Sequence, residues 1–158
     1  MISVNNRLAK LKFYMYKTYS VLLLILASQQ VFAQKESDSI LQIINSSLSY
    51  SAKIKAYLNF GEKAGAQNFD IVIRTGGQGL QLARVHGDSL SAGTLLGHIG
   101  QAYYFKGDYN TAAKYFYESI RLFETTNEKA ALANSYNSLA KLYRKTRDLT
   151  RSMENYDK

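Results

Sequence analysis

Two helical periods run through the second half of the chain. Leu132, Tyr136, Leu139 and Tyr143 are spaced 4, 3 and 4 residues apart, which places them on one face of a helix. Leu96, Ile99 and Tyr103 carry the same spacing forty residues earlier. Ala112, Ala113, Phe116 and Ile120 form a second apolar face, on the helix that follows. Between the two faces lies Lys106-Gly107-Asp108. Gly107 suits the left-handed position that ends a helix. Asp108 suits the N-cap of the next, because its carboxylate can accept a bond from an orphan backbone N–H. The predicted unit is helix, tight turn, helix.

The unit repeats. Residues 93–126 laid over 133–158 pair Ile99-Gly100 with Leu139-Ala140, Tyr103 with Tyr143, Gly107-Asp108-Tyr109 with Arg147-Asp148-Leu149, Ala112 with Ser152, and Phe116 with Tyr156. The offset is 40 at every pair. A further step of 40 towards the N-terminus gives a weaker copy, with Phe69 under Tyr109, Val72 under Ala112, and Gly87-Asp88 under Asn127-Glu128. Its opening helix, roughly 52–64, matches poorly in detail. The units run from about 50–90, 91–130 and 131–158, the last incomplete. A short leading helix is predicted within 34–49, with Ile40, Leu41, Ile44 and Leu48 on its apolar face. It is expected to cover the first unit.

These residues resemble the tetratricopeptide repeat (TPR) family. Its pattern is W-x2-L-G-x2-Y, then A-x3-F, then P. Ile99-Gly100-x2-Tyr103 resembles the first half and Ala112-x3-Phe116 the second. Leu96 stands where the family often has Trp, Glu124 stands near the usual Pro, and the period is 40 rather than 34. The resemblance covers roughly residues 50–158. It implies an all-α fold, an antiparallel helix-pair solenoid with a right-handed superhelical path, of about two and a half repeats plus the leading helix. It also implies a concave groove lined by the first helix of each unit. In register, the groove residues are Thr94, Gly97, His98, Gln101, Tyr104 and Phe105, then Asn134, Asn137, Ser138, Lys141, Arg144 and Lys145. The implied ligand is another protein or a peptide. Asn137, Lys141 and Arg144 share a helical face, which suits an acidic ligand or a C-terminal carboxylate. The competing reading of that face is a solvated surface.

The N-terminus reads differently. Residues 1–33 hold Arg7, Lys10, Lys12 and Lys17 and no acid, and an apolar run from Val21 to Ala27 follows. Val31 and Ala33 then stand at the positions a signal peptidase reads, so a secretory signal peptide cut before Gln34 is expected. Export to a bacterial extracytoplasmic space, such as the periplasm, follows from it. A membrane anchor would need about 20 apolar residues, more than this run supplies. An uncleaved anchor is the alternative. Without those four cations the net charge of +8 falls to 16 basic against 12 acidic residues. That diffuse excess is no clustered basic stripe, so nucleic acid is not an expected partner.

Little else points to chemistry. There is no Cys, which excludes disulfides, zinc–thiolate clusters and thiol nucleophiles. There is no Pro, so long helices meet no obligatory break. The two histidines, His86 and His98, have no acidic or His partner three or four residues on, so no metal site is expected. No G-x-S-x-G elbow frames a serine. No catalytic residue or cofactor is therefore predicted. Thr75-Gly76-Gly77-Gln78-Gly79 lacks the Lys of a phosphate loop and no strand precedes it. Each interior Gly costs a helix about 0.8–1.0 kcal/mol against Ala, so this stretch predicts a marginal, loosely packed helix. Tyr103, Tyr136 and Tyr143 are expected in the core, and Tyr104 and Tyr117 outside it. The chain stops at Lys158 within a predicted helix, which suggests a piece of a longer protein. That leaves two readings of the whole: an exported interaction scaffold, or the sensory region of a receptor with a histidine kinase or DNA-binding output.

Overall fold

The computed structural model describes residues 12, 14–25, 27–28, 35, 38, 42, 49–64 and 68–158. The chain divides into two compact units, residues 1–39 and 40–158. In the first, residues 14–25 are helical and expose Tyr16, Leu22, Leu23 and Leu24. No helix among the described residues is long and apolar enough to cross a membrane. The expected cleavage point between Ala33 and Gln34 lies outside the described residues. So does the leading helix, apart from Lys35, Asp38 and Gln42, which are helical.

Six helices can be bounded among the described residues of the second unit: α1 Tyr50–Ala64, α2 Phe69–Val85, α3 Ser89–Lys106, α4 Tyr109–Thr126, α5 Lys129–Lys145 and α6 Leu149–Tyr156. Each packs on the next, and α3 also touches α1 and α5, the first helices of its neighbouring pairs. This is an all-α helix-pair solenoid, as the resemblance implied, and no strand occurs among the described residues.

The four described turns share one design. Gly87, Gly107, Asn127 and Arg147 have φ of 67°, 85°, 55° and 64°, the left-handed region. They stand 20 residues apart, so each helix with its turn takes 20 residues and each pair 40. An acid follows each. The backbone amides of Asp88, Asp108, Glu128 and Asp148 donate to the carbonyls of Ala83, Tyr103, Phe123 and Tyr143 at 2.9, 3.0, 3.2 and 2.8 Å. Those bonds satisfy carbonyls the helix end would orphan. The carboxylates of Asp88, Asp108 and Asp148 then accept from the amides of Ser91, Thr111 and Arg151 at 2.9, 3.1 and 3.1 Å. Glu128, one methylene longer, makes no such cap bond. Asp88 also accepts from the Tyr50 hydroxyl at 2.6 Å, tying α1 to the turn between α2 and α3. Burial and the Asp88 carboxylate push the Tyr50 hydroxyl up to about 12.

The core forms along the helix seams. Ile54, Tyr57, Leu80, Ala83, Leu95, Leu96 and Ile99 join α1, α2 and α3, and Ala112, Phe116, Ile120, Leu139, Leu142 and Tyr143 join α4 and α5. Leu95, Leu96, Ile99 and Leu139 are fully buried, and each such side chain stabilises the fold by about 1.5–3 kcal/mol. Small residues set the helix spacing. A Cβ on Gly100 would stand 2.8 Å from the Phe116 ring, so the matched Gly and Phe positions meet across α3 and α4.

The expectation of a loosely packed helix over Thr75–Gly79 is overturned. α2 runs unbroken through it. Gly76 and Gly79 are buried contact points: a Cβ at either would lie 2.8 Å from Ile99 Cγ1 or 2.7 Å from Tyr57 Cγ. The glycines weaken the isolated helix but let α1 and α3 come closer than any side chain would allow. Of the tyrosines, Tyr143 is buried and Tyr103 and Tyr136 are half-buried. Tyr104, expected outside the core, is half-buried as well, with its ring 5.7 Å from that of Tyr109. Tyr117 is exposed, with its hydroxyl 2.9 Å from that of Tyr143.

Candidate functional site

Three glycines, Gly93, Gly97 and Gly100, recur on α3 at spacings of 4 and 3, which sets them on one face. Two are filled from α4. A Cβ on Gly93 would lie 2.6 Å from the Phe123 ring, and Gly100 receives Phe116 in the same way. The third is not. A Cβ on Gly97 would meet only the Ser119 hydroxyl, at 3.8 Å. A cavity of about 280 Å³ opens there, between α3 and α5. Its α3 wall is Gly93, Thr94, Gly97, His98 and Gln101, its α5 wall is Ala131, Asn134, Ser135 and Ser138, and its floor is Phe116, Ser119 and Phe123 from α4.

Hydrogen bonds fix the walls. The Ser119 hydroxyl is fully buried and donates to the Gly93 carbonyl at 2.8 Å, with the Ser135 hydroxyl 3.1 Å away. That network ties α3, α4 and α5 together under the cavity. Ser135 donates to Ala131 at 3.1 Å, Thr94 to Leu90 at 2.9 Å and Ser138 to Asn134 at 2.9 Å, each to a carbonyl of its own helix. The side-chain amides of Gln101 and Asn134 are exposed and have no partner among the described residues.

His98 closes the wall towards α1. A Cβ on Gly61 would lie 2.2 Å from its Nδ1, so Gly61 is where α1 admits the ring. That nitrogen is buried without a partner among the described residues. Burial pushes the imidazole below its ordinary value, against a weaker upward pull from Glu62, so the ring is neutral at neutral pH. No charged side chain lines the cavity.

Of the residues predicted for the groove, Thr94, Gly97, His98, Gln101, Asn134 and Ser138 come together here. Tyr104, Phe105, Asn137, Lys141, Arg144 and Lys145 do not line the cavity. Phe105 stacks near Phe69, with centroids 6.5 Å apart, and Tyr104 packs against Phe105 and Tyr109. Lys141, Arg144 and Lys145 are exposed on α5 and make no ion pair among the described residues. The register missed the floor. Phe116 read as core from its spacing, Phe123 drew no reading, and the glycine stripe they fill was the available signal. No group of three or more His, Asp or Glu among the described residues could hold a metal ion.

The helix pairs, the shared turns and the groove define a helical-repeat protein. Residues 90–158 match the tetratricopeptide repeat family, over the same pairs α3–α4 and α5–α6 that carry the forty-residue repeat. The fold is similar to the crystal structure of BtubC (BKLC) from P. vanneervenii, with a TM-score of 0.63 at 14 % identity, covering 77 % of this chain and 50 % of that one. The chain thus spans about half the length of that structure. No curated protein sequence matches significantly.

Proposed function

We propose that the solenoid is a non-enzymatic protein-interaction module whose groove between α3 and α5 holds a segment of a partner polypeptide. The observation that carries this is the unfilled position at Gly97. A helix-interior glycine costs about 0.8–1.0 kcal/mol against alanine, and at Gly97 no packed neighbour explains it. The space it leaves is walled by ordered hydroxyls and by two free amides, the makings of a recognition surface. The match to a repeat family that binds proteins and peptides supports the same reading. A photo-reactive side chain introduced at Ser138 should cross-link to a bound polypeptide, and one at the exposed Lys114 of α4 should not. Equal cross-linking from both positions would refute the groove.

We also propose that the chain is exported. Arg7, Lys10, Lys12 and Lys17 precede the apolar run 21–27, and Val31 and Ala33 follow at the cleavage positions, the layout of a signal sequence. Mass spectrometry of the protein from its native compartment should find an N-terminus at Gln34. An N-terminus at Met1 would leave the uncleaved anchor.

A further inference from the structure

We propose that the cavity selects an uncharged stretch of an extended peptide, with one small or medium side chain seated over Gly97. This rests on the groove being the binding site, and it names the chemistry of the ligand.

All twelve lining residues are neutral, counting His98, whose burial keeps it so. A carboxylate or ammonium group entering the cavity would lose water and meet no opposite charge on its lining, which is unfavourable. The cations Lys141 and Arg144 on α5 lie outside the lining and cannot supply one.

The hydroxyls of Thr94, Ser119 and Ser138 donate to backbone carbonyls, so their protons are already committed. The free polar groups on the walls are the amides of Gln101 and Asn134 and the neutral His98 ring, which itself carries one N–H and one acceptor nitrogen. A carboxylate accepts only and wants several donors. A peptide group offers one N–H and one C=O, and a primary amide answers both. The walls therefore suit backbone peptide groups.

Size and shape restrict the ligand further. A volume of about 280 Å³ is at the small end of ligand cavities, which run from about 300 to 1,000 Å³. It holds one or two residues of an extended chain. The buried Phe116 and Phe123 rings give it an apolar floor for one side chain.

The test is selection of a random peptide library on the intact chain, in parallel with Gly97→Leu and with the double variant Lys141→Glu, Arg144→Glu. Gly97→Ala serves as a folding control, since its Cβ meets only Ser119 at 3.8 Å. The expected result is enrichment of peptides with an uncharged central stretch. Their binding should fall roughly tenfold or more on Gly97→Leu, with helix content retained, and stay unchanged on the charge-reversed variant. Enrichment of acidic peptides that depends on Lys141 and Arg144 but not on position 97 would overturn the inference and leave the groove reading standing. Enrichment that none of these variants alters, or no enrichment at all, would overturn both.

Discussion

Glycine-to-alanine substitutions along α2 separate helix propensity from helix packing, and the structure fixes the outcome for each. At Gly77 an added Cβ meets nothing within 4 Å. Gly77→Ala should therefore stabilise by the propensity difference alone, about 0.8–1.0 kcal/mol. At Gly79 the same Cβ would stand 2.7 Å from Tyr57 Cγ and 2.9 Å from its Cβ. Tyr57 is buried at 4 % exposure, and these atoms are the root of its side chain, so only a shift of α1 relieves the contact. Overpacking of this kind costs about 1–3 kcal/mol. The propensity gain is the same at both positions, so the two variants should differ by that packing cost. Gly79→Ala should then range from near neutral to about 2 kcal/mol destabilised. In a small domain a change of 1 kcal/mol moves Tm by about 4–8 °C. Thermal melts followed by far-UV circular dichroism resolve that shift. If Gly79→Ala raised Tm as much as Gly77→Ala, the close approach of α1 and α2 would be refuted.

The turns and the buried histidine give further expectations. Arg147→Gly should stabilise by about 1 kcal/mol, because Arg147 holds φ of 64° at a position where two of the other turns use glycine; an unchanged denaturation midpoint would count against the left-handed turn. Tyr50→Phe should cost about 1 kcal/mol in the native sequence and almost nothing after Asp88→Ala, because the two share one bond of 2.6 Å; additive effects in a double-mutant cycle would show that the bond contributes nothing. His98 binds its proton less readily folded than unfolded, so its contribution is fully present above pH 6.5, its ordinary value, and is lost as pH falls towards the lower folded value. The stability difference between wild type and His98→Asn should accordingly shift with pH only below about 6.5, and a pH-independent difference would place the ring in solvent.

The apolar spacing at Leu96, Ile99 and Tyr103 and the Gly107-Asp108 turn were legible because they are local. Helical period and cap chemistry act within one or two turns of chain. The repeat carried them to the turn at Asn127-Glu128 and to that at Arg147-Asp148, where the residue types alone are poor markers of a left-handed φ. The glycines of α2 were misread for the opposite reason. Their role is set by Tyr57 and Ile99, residues about twenty positions away in the chain, and propensity has no knowledge of them. A glycine that weakens a helix and one that admits a neighbour look alike until the neighbour is placed.

The groove divides along the same line. Register put Thr94, His98, Gln101 and Asn134 on the concave side, and all four line one cavity. It could not say where that cavity ends, because the limit is set by what α4 fills. Phe123 and Phe116 occupy the notches at Gly93 and Gly100, and position 119, a helical turn from each, carries only a serine. A larger residue at 119 would close the notch at Gly97 as the phenylalanines close the other two. The open site therefore depends on two small residues together, Gly97 and Ser119. Ser119 also spends its hydroxyl on the Gly93 carbonyl, 2.8 Å away, so it holds the floor in place while leaving the space above it free. Charge follows from the same geometry. Lys141, Arg144 and Lys145 of α5 lie beyond Ser138, outside the cavity walls, and the free groups left inside are two amides and the neutral His98 ring. Asn137, Lys141 and Arg144, the face that suggested an acidic ligand in the sequence, are not among the residues that line this cavity.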